Sequence, residues 1–458
     1  MRRARAPRVI VLISALFAAL VLVASVAHAV GSPRRLKNIN PTGNSITGLA
    51  VNAGGTLFFA ADDGTTGYEL WKSDGTPTGT VLVEDINPGP TGSSPSELRN
   101  VGGTLFFRAN NGTSGAELWK SDGTPGGTSP VEDINPGPTG SSPQRLTTVG
   151  ARLYFQADDG TNGWELWRSN GTEAGTRLVE DINPTGDSFP GSLHDIDGIL
   201  YFEADDGITG DELWRSDGTV AGTRRIKNLN PGAAHSFPQD FVKLAGMVLF
   251  RATTAAGGSE LFRTDGTAAG TTRVKDILVG PSGSAPIELT RSGAYVFFKA
   301  TGAKGAELWR SDGTGTGTRL VRDIAAGPTG SSPTDLTNVG GTLYFRADDQ
   351  LSGVELWKSD GTTIGTRRVK NIRPGVASST PGGSISVGNA LFFDADDGVH
   401  GRELWMSRGT RSTTLRLSDI NPGAGDSLFS IGFTRFGVLL VFTADDGSSG
   451  VEPWKIKI

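Results

Sequence analysis

The sequence contains no cysteine. That absence removes disulfides, thiolate metal sites, cysteine nucleophiles and a lipid-anchored cysteine in one step. An exported protein of this kind must be held by its core, by closure of its fold or by ions. Histidine is nearly as scarce, since beyond residue 30 only His194, His235 and His400 remain, scattered along the chain. No histidine–carboxylate cluster with metal-ligand spacing can be assembled from them. Helix-favouring runs are almost missing, and after Val26 no apolar run is long enough to span a bilayer. Glycine, by contrast, numbers 66 among 458 residues, about twice the usual share. Such a composition suits many short strands joined by tight turns.

Residues 1–29 read as a secretory signal. Arg2, Arg3, Arg5 and Arg8 precede an apolar run from Val9 to Val26, and Ala27-His28-Ala29 offers the small residues that a signal peptidase reads. The other reading of the same run is an uncleaved membrane anchor. Cleavage would remove four arginines and take the formal net charge from −5 to −9. A mildly acidic exported chain argues against nucleic acid and anionic membrane surfaces, and fits glycans, other proteins and divalent cations. We expect a monomer with no membrane span once the signal is gone.

What is abundant is one octapeptide. Glu69-Leu70-Trp71-Lys72-Ser73-Asp74-Gly75-Thr76 returns at Glu117, Glu165, Glu212, Glu260, Glu307, Glu355 and Glu403, and decays to Glu452-Pro453-Trp454. The steps between these glutamates are 48, 48, 47, 48, 47, 48, 48 and 49 residues. A fixed period of this size marks a repeat architecture. Length alone would suggest about three domains, but nine similar units over 30–458 read as one array.

Residues 96–143 illustrate the unit. Glu97 to Val101 is a short first strand ended by Gly102-Gly103. Thr104 to Ala109 is a second strand, apolar on both faces and therefore covered on both sides. The turn from Asn110 to Gly115 holds Asp-Asp in six other units, as in Asp62-Asp63-Gly64, and Asp or Asn before Gly tolerates the left-handed backbone of tight hairpins. Glu117 to Ser121 is a third strand, and a fourth ends at Val131-Glu132-Asp133-Ile134. Asn135 to Pro143 then runs on without periodicity. Four antiparallel strands in about 47 residues match one blade of a β-propeller.

The offset of the repeat supports closure. Arg35 to Pro41 reads as a fourth strand without its first three, and Val451 to Ile456 as a third strand with no fourth. The N-terminal strand can complete the C-terminal blade and leave no orphan edge. The expectation is an all-β propeller of about nine four-stranded blades; an open superhelix or two arcs are the alternatives.

The Glu-Leu-Trp-x-x-Asp-Gly-Thr motif, with its preceding Asp-Asp-Gly turn, resembles the ELWxxDGT repeat family of secreted bacterial proteins. The resemblance covers 35–458, with two departures, Phe262 for tryptophan and Arg408 for aspartate. It implies export and a repeat fold, and brings no established activity. Ser73-Asp74-Gly75-Thr76 also looks like a contracted Asp-box, a folding device of sialidase-type blades rather than a catalytic one.

In a propeller the turn between strands two and three and the link from strand four to the next unit share one face. That places Asp62, Asp63, Glu69 and the Glu84-Asp85 pair together, then Asp158, Asp159, Glu165 and Asp181, then Asp205, Asp206 and Glu212. Carboxylates beside backbone carbonyls are what calcium takes, so Asp62, Asp63, Glu69, Asp85, Asp158, Asp159, Glu165, Asp205, Asp206 and Glu212 form the candidate metal set. The competing reading is structural: aspartates capping turns, and the glutamate accepting backbone N–H bonds. Units two, five and six break the acidic pattern, with Asn110-Asn111, Thr253-Thr254 and Thr301-Gly302. The tryptophans read either as a sugar-stacking ring or as wedges between blades, and Phe262 in the same slot favours wedges. Tyr68 and Trp164, at a variable position, are the better surface aromatics. Arg251, Lys299 and Lys304 beside the acid-poor stretch 253–258 form the most distinctive arc.

No catalytic constellation is present. Acids repeated around a ring look structural, because a catalytic site needs one blade to differ sharply. The preferred function is a non-catalytic binding or surface-interaction scaffold for a glycan or protein. The alternatives are a glycan-active hydrolase or lyase and a structural envelope or matrix component.

Overall fold

The alternation of short apolar runs and glycine turns folds each unit into an antiparallel sheet. The computed structural model describes residues 30–46, 48–428 and 432–458, so the signal expected at 1–29 lies outside them. In the second unit the strands are Ser96–Val101, Thr104–Asn110, Ala116–Ser121 and Ser129–Glu132; the first three lie within a residue of the sequence reading, and the fourth ends two residues before the Ile134 expected. Gly102 and Gly103 join the first two with φ of 61° and 96°, the mirror-image turn that matches strand twist and that side chains resist.

The described residues form nine such four-stranded sheets, arranged in a ring as a β-propeller. Blade 1 spans 51–84, and blades 2 to 8 follow at 96–132, 144–180, 191–227, 239–275, 287–320, 334–370 and 382–416. Blade 9 takes three strands from 434–457 and its fourth from Arg34–Arg35. First strands of neighbouring blades lie side by side around the centre, and fourth strands form the rim.

The core sits between the blades. Phe58 and Leu70 of blade 1 bury against Leu105, Phe107 and Trp119 of blade 2. Trp167, Trp214, Trp357 and Trp405 repeat the contact, and Phe262 fills the same slot in blade 5. These tryptophans are wedges, with Trp119 only 7% exposed.

Blade 9 shuts the ring. Arg34 pairs with Lys455 and Arg35 with Trp454, and Leu36 N–H donates to Pro453 C=O at 2.7 Å. Val441 of blade 9 packs on Leu57, Phe59 and Trp71 of blade 1. The closing strand is shorter than the Arg35–Pro41 expected, because in every blade the residues equivalent to 38–41 leave the ladder and form the link held by the buried glutamate.

Candidate functional site

The loop face is organised by the repeated glutamate. Glu69 opens the third strand of blade 1 fully buried, and its carboxylate turns into the link that leads to blade 2. Oε1 and Oε2 accept from the backbone N–H of Ile86 (3.2 Å), Asn87 (3.1 Å) and Ser93 (2.8 Å), and Oε2 accepts from Ser93 Oγ. Glu165 repeats this with Ile182 (3.0 Å), Asn183 (3.3 Å) and Ser188 N–H (3.1 Å) and Oγ (2.6 Å). Glu212 uses Leu229, Asn230 and Ser236; Glu452 uses Ile39, Asn40 and Ser45 from the other end of the chain.

The same serine reaches the next blade. Ser93 C=O accepts from Asn110 N–H of blade 2 at 3.0 Å, and Ser188 C=O from Asp205 N–H of blade 4 at 2.9 Å. Ser45 C=O accepts from Asp62 N–H at 2.8 Å, carrying the stitch across the closure. Each glutamate therefore holds the link that ties its blade to the next.

Burial drives the carboxyls upward in pKa, most strongly at Glu165, which is pushed up to about 7 against the hydrogen bonds from Ser188, Ile182 and Asn183. Glu69 and Glu212 shift in the same direction for the same reason.

The aspartates of the hairpins close their own turns. Asp62 Oδ1 accepts from Gly64 N–H at 2.7 Å, and Asp63 Oδ1 from Thr65 N–H (2.8 Å) and Thr66 N–H (2.9 Å). Asp158 and Asp159 do the same for Gly160, Thr161 and Asn162, and Asp205 and Asp206 for Gly207, Ile208 and Thr209. Burial opposes charge at Asp63, but the Thr65 and Thr66 bonds win and hold its pKa below the usual carboxylate value. Asp206 also pairs with Arg225.

Among the described residues no three His, Asp or Glu side chains converge as a metal-binding group. The acids read as a calcium set are thus divided between turns and links. One recurring oxygen is left over: Oδ1 of Asp85, Asp181, Asp276 and Asp323, and of Asn38, Asn228 and Asn371 at the same position, is buried without a protein partner.

The arc of Arg251, Lys299 and Lys304 is not a bare cationic patch. Arg251 lies 3.3 Å from Asp240 and Lys304 lies 3.2 Å from Asp323. Lys299 faces Glu288. Tyr68 and Trp164 are half-buried, with their carbonyls accepting from the link residues Ser94 (2.9 Å) and Ser188 (3.1 Å). The three histidines stay apart: His235 pairs with Asp211 and stacks on Phe237, His400 pairs with Asp397, and His194 faces a central opening of about 660 Å³ with Asp240, Lys243 and Arg291. Burial lowers the pKa of His194.

No family model matches the chain, and no curated protein does. Solved structures match the chain at low identity. A computationally designed protein, Ika8, is 17% identical with a TM-score of 0.43, covering 81% of this chain and 99% of that one. A prolyl endopeptidase is 14% identical with a TM-score of 0.44, over 89% of this chain. A Mycobacterium tuberculosis puromycin-hydrolyzing peptidase is 9% identical with a TM-score of 0.42, over 85% of this chain. This chain spans 60% and 56% of the lengths of those two peptidases.

The residue that sequence reasoning missed is the link serine. Its signal was available, because Ser93, Ser141, Ser236, Ser284, Ser331, Ser379 and Ser427 each follow their glutamate by 24 residues, and Ser188 by 23.

Proposed function

We propose that this chain is an exported, non-catalytic binding scaffold that presents its ligand surface on the loop face of the propeller. The observation that carries this reading is the contrast between a constant frame and variable hairpin tips. The backbone N–H of Thr65, Thr113, Thr161, Ile208, Leu351, Val399 and Ser448 donates in each case to an Asp or Asn Oδ1 at 2.8–3.0 Å. The side chains at these tips are exposed and differ from blade to blade, from hydroxyl to large aliphatic. A turn fixed through its backbone accepts any side chain at the tip, which is the arrangement of a recognition surface on a rigid support.

Residues 30–458, immobilised and offered a panel of cell-surface polysaccharides and proteins, test the reading. Binding without release of cleaved product is expected, and tip substitutions in single blades should give partial losses. Turnover abolished by changing acids in one or two blades would establish a glycan-active enzyme instead. Export is read by N-terminal sequencing of the chain from cell fractions, where a start at Val30 is expected. The spare oxygens at Asp85 and its equivalents make calcium a separate question, answered by unfolding in EDTA and in millimolar calcium. Binding to the folded state raises Tm as RT ln(1 + [L]/Kd).

A further inference from the structure

The hairpin of blade 2 carries Asn110-Asn111 where six other units carry Asp-Asp, and beside it a cleft of about 490 Å³ opens between blades 1 and 2. That volume lies within the range of about 300–1,000 Å³ usual for small-molecule sites. Arg108 is the only charged residue lining the cleft, and no carboxylate lines it. Its lining thus differs from that of the acidic hairpins around it.

Two local substitutions create it. Arg108 lies on the second strand, opposite Ser96, at the position that Arg251 holds in blade 5 and Arg346 in blade 7. Those two arginines are neutralised from the first strand, by Asp240 at 3.3 Å and Asp335 at 3.0 Å. Blade 2 has the longer Glu97 instead, and its carboxylate reaches on to accept from Leu146 N–H of blade 3 at 3.2 Å. Glu288 does the same to Leu336 at 3.2 Å, so the extra methylene redirects the acid wherever it occurs. Arg108 is left without a side-chain hydrogen bond or ion pair among the described residues. On the opposite wall, blade 1 has Ala60 where blades 3 and 4 carry Gln156 and Glu203, so no long side chain fills the gap.

We infer that this cleft is a subsite for a carboxylate-bearing sugar, anchored by the Arg108 guanidinium; the inference rests on the scaffold reading above. A guanidinium grips a carboxylate through two parallel N–H bonds. Tyr68 offers the aromatic face on which a sugar ring stacks. Ser94, Ser96 and Asn110 supply exposed hydroxyls and an amide for the ring hydroxyls. A peptide carboxylate would meet the same arginine, but beyond Tyr68 the apolar lining is limited to the small residues Ala60, Pro95, Ala109 and Ala116 among hydroxyl and amide groups, which favours the sugar.

The test titrates residues 30–458 with sodium glucuronate, N-acetylneuraminate, glucose and the dipeptide N-acetyl-Gly-Ala, by calorimetry or NMR. Wild type, Arg108→Gln and Ala60→Gln are compared, each with a thermal melt to show that it folds. Millimolar binding of an acidic sugar, weakened at least about tenfold in both variants and absent for glucose, is the expected result. Unchanged binding in Arg108→Gln, or tighter binding of the dipeptide than of either acid sugar, overturns the inference. If the wild type captures polysaccharides or proteins but none of these small probes, the subsite fails while the scaffold stands. If it captures nothing at all, the scaffold reading itself falls.

Discussion

Glu165 and its equivalents stand between two opposed effects. Burial disfavours the charged carboxylate, whereas the N–H and hydroxyl donors around it favour charge. Burial wins at Glu69, Glu117, Glu165, Glu212, Glu307, Glu355, Glu403 and Glu452, whose pKa values all rise above the ordinary 4.5. A raised folded-state value means that the native chain holds protons the unfolded chain has lost. The native state is therefore favoured below 4.5, and that advantage is lost as pH rises toward about 7 at Glu165. The hairpin aspartates oppose this at lower pH. Burial resists charge at Asp63, Asp159 and Asp206, yet hydrogen bonds from Thr65, Asn162 and Thr209 hold them below 3.8, so their contribution is lost as pH falls through that region. Urea midpoints should thus peak in mildly acidic buffer and decline toward neutrality, with a shallower decline in Glu165→Gln; a midpoint rising steadily to pH 8 would contradict the assignment. Ser188→Ala removes the 2.6 Å bond to Glu165 and should cost about 1–3 kcal/mol in chemical denaturation. Combined with Glu165→Gln, the loss should be less than additive, because the two side chains form one unit.

At the scale of the strand, the wedge residue decides how blades adhere. Trp119→Ala opens a void against Phe58 and Leu70 of blade 1 and should cost about 3–5 kcal/mol. Trp119→Phe should cost about 1–2 kcal/mol, since Phe262 already serves in that slot at 5% exposure. Equal losses for the two variants would mean that the indole does more than fill space. Strand limits, hairpins and the wedge role were legible in the sequence because each is a local pattern: Gly102-Gly103 for a turn, a doubly apolar run for a buried strand, Phe262 as proof that an apolar filler suffices. The serine's near-constant spacing from the glutamate was in the sequence, but not the bond between them, because Ser93 meets Glu69 only once the fourth strand and the link have folded back. The Arg251–Asp240 pair escaped for a similar reason. The two side chains come together across strands whose register shifts between Gln239 and Val242, so simple alternation does not predict the contact. The end of the closing strand was not legible either, because Ile39 and Asn40 give their backbone N–H groups to Glu452 rather than to a ladder.

The whole molecule depends on its two ends meeting. Removing residues 30–46 would strip the fourth strand from blade 9 and leave Glu452 without Ile39, Asn40 and Ser45. A bare strand edge and a buried carboxylate without donors both follow, so this truncation should melt at lower temperature and self-associate in size-exclusion chromatography. A synthetic peptide of residues 30–46 added in trans should reverse that self-association by strand addition; an unaffected truncation would show that the inter-blade contacts alone keep the ring shut. The geometry of that seam also fixes how the protein responds to force. Gly31 N–H bonds to Lys457 C=O at 2.8 Å, beside the Arg34–Lys455 and Arg35–Trp454 pairs and the Leu36–Pro453 bond. The two strands run antiparallel, so a load entering at residue 31 and leaving at residue 457 meets these bonds one after another rather than all at once. Tension between residues 31 and 457 would peel the ring open like a zipper, while the same pull applied across a blade would have to shear several rungs together.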